Sequence, residues 1–359
     1  MDHKLYMQRA LDLAKQGLGN VHPNPLVGAV IVKDGQIIAE GFHEVYGGPH
    51  AEINAFKNAT MDVTGATMYV TLEPCSHHGK TPPCADAIIA KGITEVIVAM
   101  QDPNPLVSGR GIERMRDAGI HVQTGVLKKQ AKELNQRFIH FIQTKRPYVI
   151  VKSAISKNYK ITSANGPWVT GEESRKQVHD MRRKAKAVLV GIGTVLADDP
   201  MLTVRHGDTS IQPTRIILDS QGQTPLQSKL VQTASEVPTW IYCVQGVDSK
   251  WKSQLQAKGV IIIELSTLSP RLSLDHVFED MGQRTIDEVL IEPGPRLLEA
   301  LLKEKQLHEW VVFQSDVMEE ESELSFLPFQ YTITKNHLVV DVQQVGNDTR
   351  TTYVPKEDL

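Results

Sequence analysis

Three groups able to hold a metal follow one another along the chain: His50, then Pro74-Cys75, then Cys84. One imidazole and two thiolates give three ligands for a tetrahedral zinc ion and leave its fourth position open to water. Glu52 stands two residues after His50, in His50-Ala51-Glu52, and suits proton movement rather than metal binding. A water held at such a zinc has its pKa lowered to near ~7 and becomes a nucleophile at neutral pH. Attack on an amino-bearing ring carbon then needs a carboxylate that takes the water's proton and passes it to the ring nitrogen and the departing ammonia. Hydrolytic removal of an amino group from a base is the chemistry this order of residues points to. The alternative is a structural zinc with four protein ligands, the fourth supplied by His77 or His78.

The loop between the thiolates narrows the substrate. Base deaminases mostly place two residues between their cysteines, whereas Ser76-His77-His78-Gly79-Lys80-Thr81-Pro82-Pro83 separates Cys75 from Cys84. A cation and two imidazoles near the metal suit a substrate carrying phosphate and ring heteroatoms.

Regular elements must position these groups. Helical periodicity over 3–17 ends at Gly17 and Gly19, and Asp34-Gly35 turns a hairpin between strands at 27–33 and 36–42. A helix over 50–59 carries His50 and Glu52 at its start. A strand over 67–72 ends at Pro74-Cys75, and Pro82-Pro83 opens a helix over 84–91. Strands at 95–99 and 121–126 and helices at 111–118 and 129–140 complete a three-layer α/β pattern. Lys145-Arg146-Pro147 closes that unit. Beyond it, strands are expected at 148–154, 187–191, 214–219, 239–244, 260–263, 288–291 and 309–314, with helices at 172–185, 249–257, 274–281 and 294–303. Val188 to Thr194 and Ile291 to Arg296 are strand ends running through glycine into helices, where backbone amides can bind phosphate. Neither has the dinucleotide fingerprint's glycine spacing.

Composition bounds the rest. A chain of 359 residues with 41% apolar content has room for two cores. A net charge of −3 argues against a dedicated nucleic-acid binder. The short basic run Arg182-Arg183-Lys184 with Lys186 reads as a solvated helix face or a small-anion site. Three cysteines, two of them in the metal motif, exclude a disulfide framework and point to a reducing compartment. No apolar run approaches the ~20 residues of a membrane helix, and no apolar signal core follows Met1-Asp2-His3-Lys4. A soluble, cytoplasmic protein is expected.

The stretch Leu72 to Cys84 resembles the deaminase domain of the bifunctional riboflavin-biosynthesis deaminase–reductases. Asn24-Pro25-Leu26-Val27-Gly28-Ala29-Val30, Gly41-Phe42-His43 and Asp102-Pro103-Asn104-Pro105 share the resemblance, which covers nearly all of 3–140. Trp168-Val169-Thr170, Gly191 to Pro200, Leu202-Thr203-Val204-Arg205, Arg215-Ile216-Ile217-Leu218-Asp219 and Glu292-Pro293-Gly294-Pro295 resemble that family's reductase domain. The resemblance implies a cytidine-deaminase-like three-layer α/β/α domain over 1–145 and a dihydrofolate-reductase-like α/β domain over 146–359. It implies zinc on His50, Cys75 and Cys84, one ion per site, with Glu52 as proton carrier and Asn24, His43, His77 and Lys80 against the pyrimidine. It further implies NADPH lined by Ala154, Trp168, Thr194, Asp198, Gly294, Pro295 and Arg296. The reductase substrate would meet Arg182, Leu202, Arg205 and Glu292, two guanidinium groups suiting its phosphate. The partners implied are phosphoribosylaminopyrimidines, with no nucleic acid and no membrane, and a homo-oligomer is expected.

This chain departs from the family pattern in several places, among them a segment before Trp168 that is about two residues short. Lys152 and Ser156 are followed by Lys157-Asn158-Tyr159-Lys160 where the family has Leu-Asp-Gly-Lys. After the strand at 309–314 comes Gln314 to Glu321 where the family has an Ala-Pro pair and a glycine pair. Both fall where a reductase site or its closing loop is expected. The leading reading is therefore a two-step deaminase–reductase, and the second an active deaminase with an impaired reductase domain serving assembly or substrate binding. A zinc-stabilised nucleotide-binding module and a nucleic-acid base deaminase rank below both.

Overall fold

The computed structural model describes residues 2–76, 82–104, 108–162, 168–267, 269–320 and 324–356. The chain divides into two compact units, Met1–Lys145 and Arg146–Leu359.

In the first unit α1 (His3–Ala14) precedes the hairpin of β1 (Gly28–Lys33) and β2 (Gln36–Phe42). There follow α2 (Ala51–Lys57), β3 (Thr67–Leu72), α3 (Cys84–Ala90), β4 (Glu95–Met100), α4 (Arg110–Asp117), β5 (His121–Thr124), α5 (Lys128–Leu134) and α6 (Gln136–Thr144). The strands form one sheet in the order β2-β1-β3-β4-β5, with β1 antiparallel to both neighbours and β3, β4 and β5 parallel. Side chains alternate between its faces. Ala29, Ile31, Met68, Val70, Val96 and Val98 meet Ala51, Ala55, Ala85, Ile88, Ile112 and Met115 of α2, α3 and α4. Val30, Val32, Tyr69 and Ile97 meet Met7, Ala10, Leu11 and Ala131 of α1 and α5. Three layers result.

A Cβ on Gly41 would strike the backbone of Ala51 and Ala55, so glycine here lets α2 lie directly on β2. The single helix expected over 129–140 is instead two, broken at Asn135. The Asn135 side chain accepts the Leu26 N–H at 2.8 Å and donates to the Leu26 carbonyl at 2.9 Å. A short amide that bonds distant backbone in this way competes with helix continuation.

The second unit runs β6 (Tyr148–Ile155), α7 (Glu172–Lys184), β7 (Ala187–Gly191), α8 (Ile192–Asp198), β8 (Thr214–Leu218), α9 (Lys229–Gln232), β9 (Thr239–Val244), α10 (Ser249–Gln256) and β10 (Ile261–Leu265). It continues with α11 (Leu274–Gln283), β11 (Glu288–Ile291), α12 (Pro295–Lys303), β12 (Glu309–Gln314), α13 (Leu327–Asn336), β13 (His337–Val345) and β14 (Asp348–Pro355). The sheet order is β10-β9-β8-β7-β11-β6-β12-β14-β13, parallel from β10 to β12 and antiparallel over the last hairpin. One face packs on α11 and α12 through Val277, Phe278, Leu298 and Leu301. The other packs on α8, α9 and α10 through Val195, Leu230 and Leu255.

The helix α13 and the hairpin β13–β14 were not expected from the sequence. Val339, Val340 and Val342 of β13 are more than half exposed, so the apolar alternation that signals a half-buried strand is missing. The hairpin nevertheless has a structural task. Asp348 accepts the Gly171 N–H at 2.7 Å and the Ser174 hydroxyl at 2.6 Å, holding the start of α7.

Candidate active sites

The metal-binding side chains converge. His50 is the N-cap of α2, Cys75 follows β3, and Cys84 opens α3. Their ligand atoms lie within 4.8 Å of one another. His50 Nδ1 is 3.6 Å from Cys75 Sγ and 3.3 Å from Cys84 Sγ. Bond lengths to zinc of about 2.0–2.1 Å for nitrogen and 2.3 Å for sulfur put neighbouring tetrahedral ligands about 3.5 Å apart. Donor set and spacing therefore fit zinc. The Cys84 N–H also donates to Cys75 Sγ at 3.3 Å. Hydrogen bonding from Cys84 and from His50 pulls the Cys75 thiol well below its ordinary range, while the hydrogen bond to Cys75 and burial push Cys84 up.

Glu52 lies in the first turn of α2 and is 3% exposed. Burial, with the Cys75 thiolate nearby, raises its carboxyl to about 7. His43 stands beside this group, its ring 5.6 Å from that of His50 and nearly perpendicular. Its Nδ1 bonds the Pro49 carbonyl at 3.0 Å, which assigns the proton to Nδ1 and leaves Nε2 to accept from Asn24 Nδ2 at 3.0 Å. Asn24, His43, His50 and Glu52 thus form one neighbourhood. His77, His78 and Lys80 lie outside the described residues.

Sequence reasoning missed Glu73, which orders the neighbouring loop. Its buried carboxylate accepts backbone N–H groups from Asp102 at 3.2 Å, Gly109 at 3.0 Å, Gly111 at 3.0 Å and Ile112 at 3.4 Å. A Cβ on Gly111 would collide with the Pro74 carbonyl, so glycine there lets α4 close on the segment bearing Cys75. A carboxylate between Leu72 and Pro74 gives no sign of these partners in the sequence.

In the second unit Ala154, Thr194, Glu292 and Gly294 lie at or just past the carboxyl ends of β6, β7 and β11, the edge where open parallel sheets bind ligands. Glu292 follows β11 and is 12% exposed. It takes Arg182 of α7 through two bonds of 2.6 and 3.1 Å and Lys152 of β6 at 3.2 Å. Burial alone would raise Glu292, but these two cations outweigh it and hold the carboxyl far below its ordinary range. Sequence reasoning missed Lys152, although a cation inside the largely apolar Tyr148–Ile155 strand is the available signal.

Arg182 therefore presents no open fork: one edge is taken by Glu292 and Nη1 donates to the Thr203 carbonyl at 3.3 Å. Arg205 is an exposed residue whose guanidinium is steadied by Thr203 Oγ1 at 3.2 Å. Between them the loop at Leu202, in the left-handed region at φ 53°, is anchored by the wholly buried Arg215, which donates to the Met201 carbonyl at 3.3 Å.

The two strand–turn–helix junctions lie side by side. Gly191 caps α8 and Gly294 caps α12, and a Cβ placed on Gly294 would sit 3.5 Å from Thr194 Oγ1. Two adjacent helix starts fronted by glycine suit a phosphate-bearing nucleotide. Ala154 is half-buried at the end of β6 and Asp198 exposed at the end of α8. Pro295 opens α12, with Arg296 exposed beside it. Trp168 is 56% exposed, with the Arg175 guanidinium 5.3 Å from its ring centre, so it belongs to no core.

A zinc-type base-deaminase unit joined to an α/β unit with a nucleotide cradle defines the class: a two-domain deaminase–reductase. Residues 1–100 match the cytidine and deoxycytidylate deaminase zinc-binding region, and residues 147–318 match the RibD C-terminal domain. The riboflavin biosynthesis protein RibD of Bacillus amyloliquefaciens is 40% identical over 98% of this chain and 96% of its own. That of Actinobacillus pleuropneumoniae is 48% identical over 81% of this chain and 78% of its own. The Thermotoga maritima diaminohydroxyphosphoribosylaminopyrimidine deaminase/5-amino-6-(5-phosphoribosylamino)uracil reductase superposes with a TM-score of 0.87 at 37% identity, covering 98% of each chain. Acinetobacter baumannii RibD gives 0.87 at 37% identity over 99% of each.

The chain belongs to the RibD family of bifunctional riboflavin-biosynthesis enzymes, hydrolase and oxidoreductase in one polypeptide. The family carries a zinc site and a nicotinamide cofactor, and the expected α/β architecture of both domains is the one found. Among the described residues nothing marks the reductase unit as impaired. No helix among them is long and apolar enough to cross a membrane.

Proposed function

We propose that residues 1–145 hydrolyse the 2-amino group of 2,5-diamino-6-(5-phosphoribosylamino)pyrimidin-4-one, and that residues 146–359 reduce the ribosyl group of the resulting 5-amino-6-(5-phosphoribosylamino)uracil to ribityl. The observation that carries the first step is the convergence of His50, Cys75 and Cys84 beside a buried Glu52. One zinc bound there supplies an acidic water at neutral pH. Glu52 carries one proton of the water to the ring nitrogen and then the remaining hydroxyl proton to the amine, so that the ring carbon keeps the oxygen as a carbonyl and the amino group leaves as ammonia. Asn24 and His43 orient the pyrimidine, and His77 and Lys80 join them.

For the second step NADPH supplies the hydride. Ala154, Trp168, Thr194, Asp198, Gly294, Pro295 and Arg296 line it, supported by the paired junctions at Gly191 and Gly294. Glu292 fixes Lys152 and Arg182, Leu202 closes the substrate side, and Arg205 meets the phosphate. A homo-oligomer in the cytoplasm belongs to this reading, and the exposed valines of β13 give it an apolar surface to cover.

One coupled assay tests both steps. Zinc-loaded protein given the diamino substrate and NADPH releases ammonia first and then loses absorbance at 340 nm. Treatment with a chelator stops the ammonia, while NADPH oxidation persists when the aminouracil is supplied directly. Ammonia release that survives complete zinc removal rejects the deaminase assignment.

A further inference from the structure

We propose that Asn158 is a positioning residue for the reduction, clamping the segment after β12 so that it forms one wall at the NADPH side of the pocket. This rests on the reductase reading given above. Asn158 and Glu319 lie in two of the segments where the chain departs from its family pattern, and the structure joins them.

Strands β6 and β12 are parallel neighbours whose last registered pair is Ile155 with Gln314, next to Ala154 with Phe313. Beyond the strands the pairing continues: the Ser315 N–H donates to the Ile155 carbonyl at 2.8 Å and the Lys157 N–H to the Val317 carbonyl at 2.9 Å. Residues 156–160 close on themselves through Ser156 N–H to the Lys160 carbonyl at 2.8 Å and Lys160 N–H to Ser156 Oγ at 2.9 Å.

At the tip of this turn, Asn158 uses both ends of its amide. Nδ2 donates to the Glu319 carbonyl at 2.9 Å, and Oδ1 accepts the Glu319 N–H at 3.0 Å and the Ser156 hydroxyl at 2.7 Å. Glu319 is 5% exposed, so its backbone has little access to solvent. A loss of either bond leaves a buried polar group to be satisfied elsewhere. Tyr159, at φ 63°, sends its carbonyl to the Phe326 N–H at 2.6 Å and packs its ring into the core with Phe326 and Trp310. The turn is thereby held from both sides.

An aspartate at 158 has the same shape but no donor, and would set a carboxylate oxygen against the Glu319 carbonyl. With the Glu319 carbonyl as its partner, this loop uses a donor that the family's aspartate lacks. The clamp starts two residues past Ala154, the residue of β6 proposed above to line the cofactor, on the strand that also carries Lys152 to Glu292.

The test uses the full chain. Asn158→Asp raises the KM for NADPH about tenfold, the cost of one buried hydrogen bond replaced by opposed acceptors, while kcat stays within twofold and ammonia release is unchanged. Asn158→Ala, which keeps the Ser156–Lys160 closure and serves should the aspartate variant not fold, raises the KM less. Native KM in both variants, or a fall in kcat at unchanged KM, overturns the clamp. Absence of NADPH oxidation by the native protein on supplied aminouracil removes the reductase reading and the clamp with it, whereas native turnover with indifferent variants removes the clamp alone.

Discussion

The two units place their chemistry in opposite ways. The first draws its candidate metal ligands and the proposed proton carrier from a short span, residues 50 to 84, on or just beside elements of one sheet and the helices packed on it. The second collects Lys152, Arg182, Arg205, Glu292 and the Gly191 and Gly294 turns from far along the chain, joined by ion pairs and by the order of parallel strands. A metal demands particular atoms at a particular spacing, and so writes a motif. A nucleotide cradle demands backbone amides and a few charges, which many sequences can supply. The difference is one between side-chain chemistry and sheet topology.

The largest expected effect falls on the first unit. Glu52→Gln preserves shape and the three metal ligands but removes the proton carrier, so ammonia release drops about 10²–10⁴-fold, with zinc content by atomic absorption unchanged. NADPH oxidation on supplied aminouracil continues at the native rate if the units work separately. A parallel fall in both activities would erase the contrast between a local and a distributed site.

How much could be read beforehand follows the same division. His50, Cys75, Cys84 and the helix start bearing Glu52 were legible because residue type and spacing carry the chemistry. Glu73 was not, since its partners are backbone amides brought near by folding. In the second unit the strands of the parallel sheet were legible as apolar runs, yet Lys152 gained meaning only from Glu292 on a neighbouring strand. Asn158 and Tyr159 read as a departure from a family pattern, and their compensation by Glu319 and Phe326 is a tertiary fact. The break at Asn135 was hidden because its partner, Leu26, is distant in sequence. The hairpin β13–β14 was hidden because an exposed edge strand shows no core-facing alternation.

A second expected effect tests whether the distributed site is held by charge. Glu292→Gln leaves Lys152 and Arg182, both largely buried, without their shared anion. Breaking a buried ion pair on one side costs about 3–5 kcal/mol, read as a lower denaturant midpoint of the second unit and lost NADPH oxidation, with ammonia release retained. If the midpoint stays at the native value, the cluster is held by the surrounding hydrogen bonds, and the second site is closer in kind to the first than its chain separation suggests.

The smallest effect is a titration within the second unit. His179 on α7 is 6% exposed, and its Nδ1 accepts the Arg205 N–H at 3.2 Å, so the neutral ring is the form that fits. Burial, then the cations of Arg182 and Arg205 and the nearby His206, push it down from the usual histidine value to about 4. The unfolded chain takes this proton at about 6.5, and the folded one only near 4. Stability from His179 is therefore complete above about pH 6.5 and declines as the pH falls toward 4. The melting temperature of the second unit should fall across that window, and His179→Gln should flatten that part of the profile while leaving intact the loss at still lower pH that comes from Glu292. A profile equally steep in the variant would mean that Arg205 is steadied by Thr203 rather than by the histidine, and that this arm of the site is set by the loop at Leu202 and not by α7.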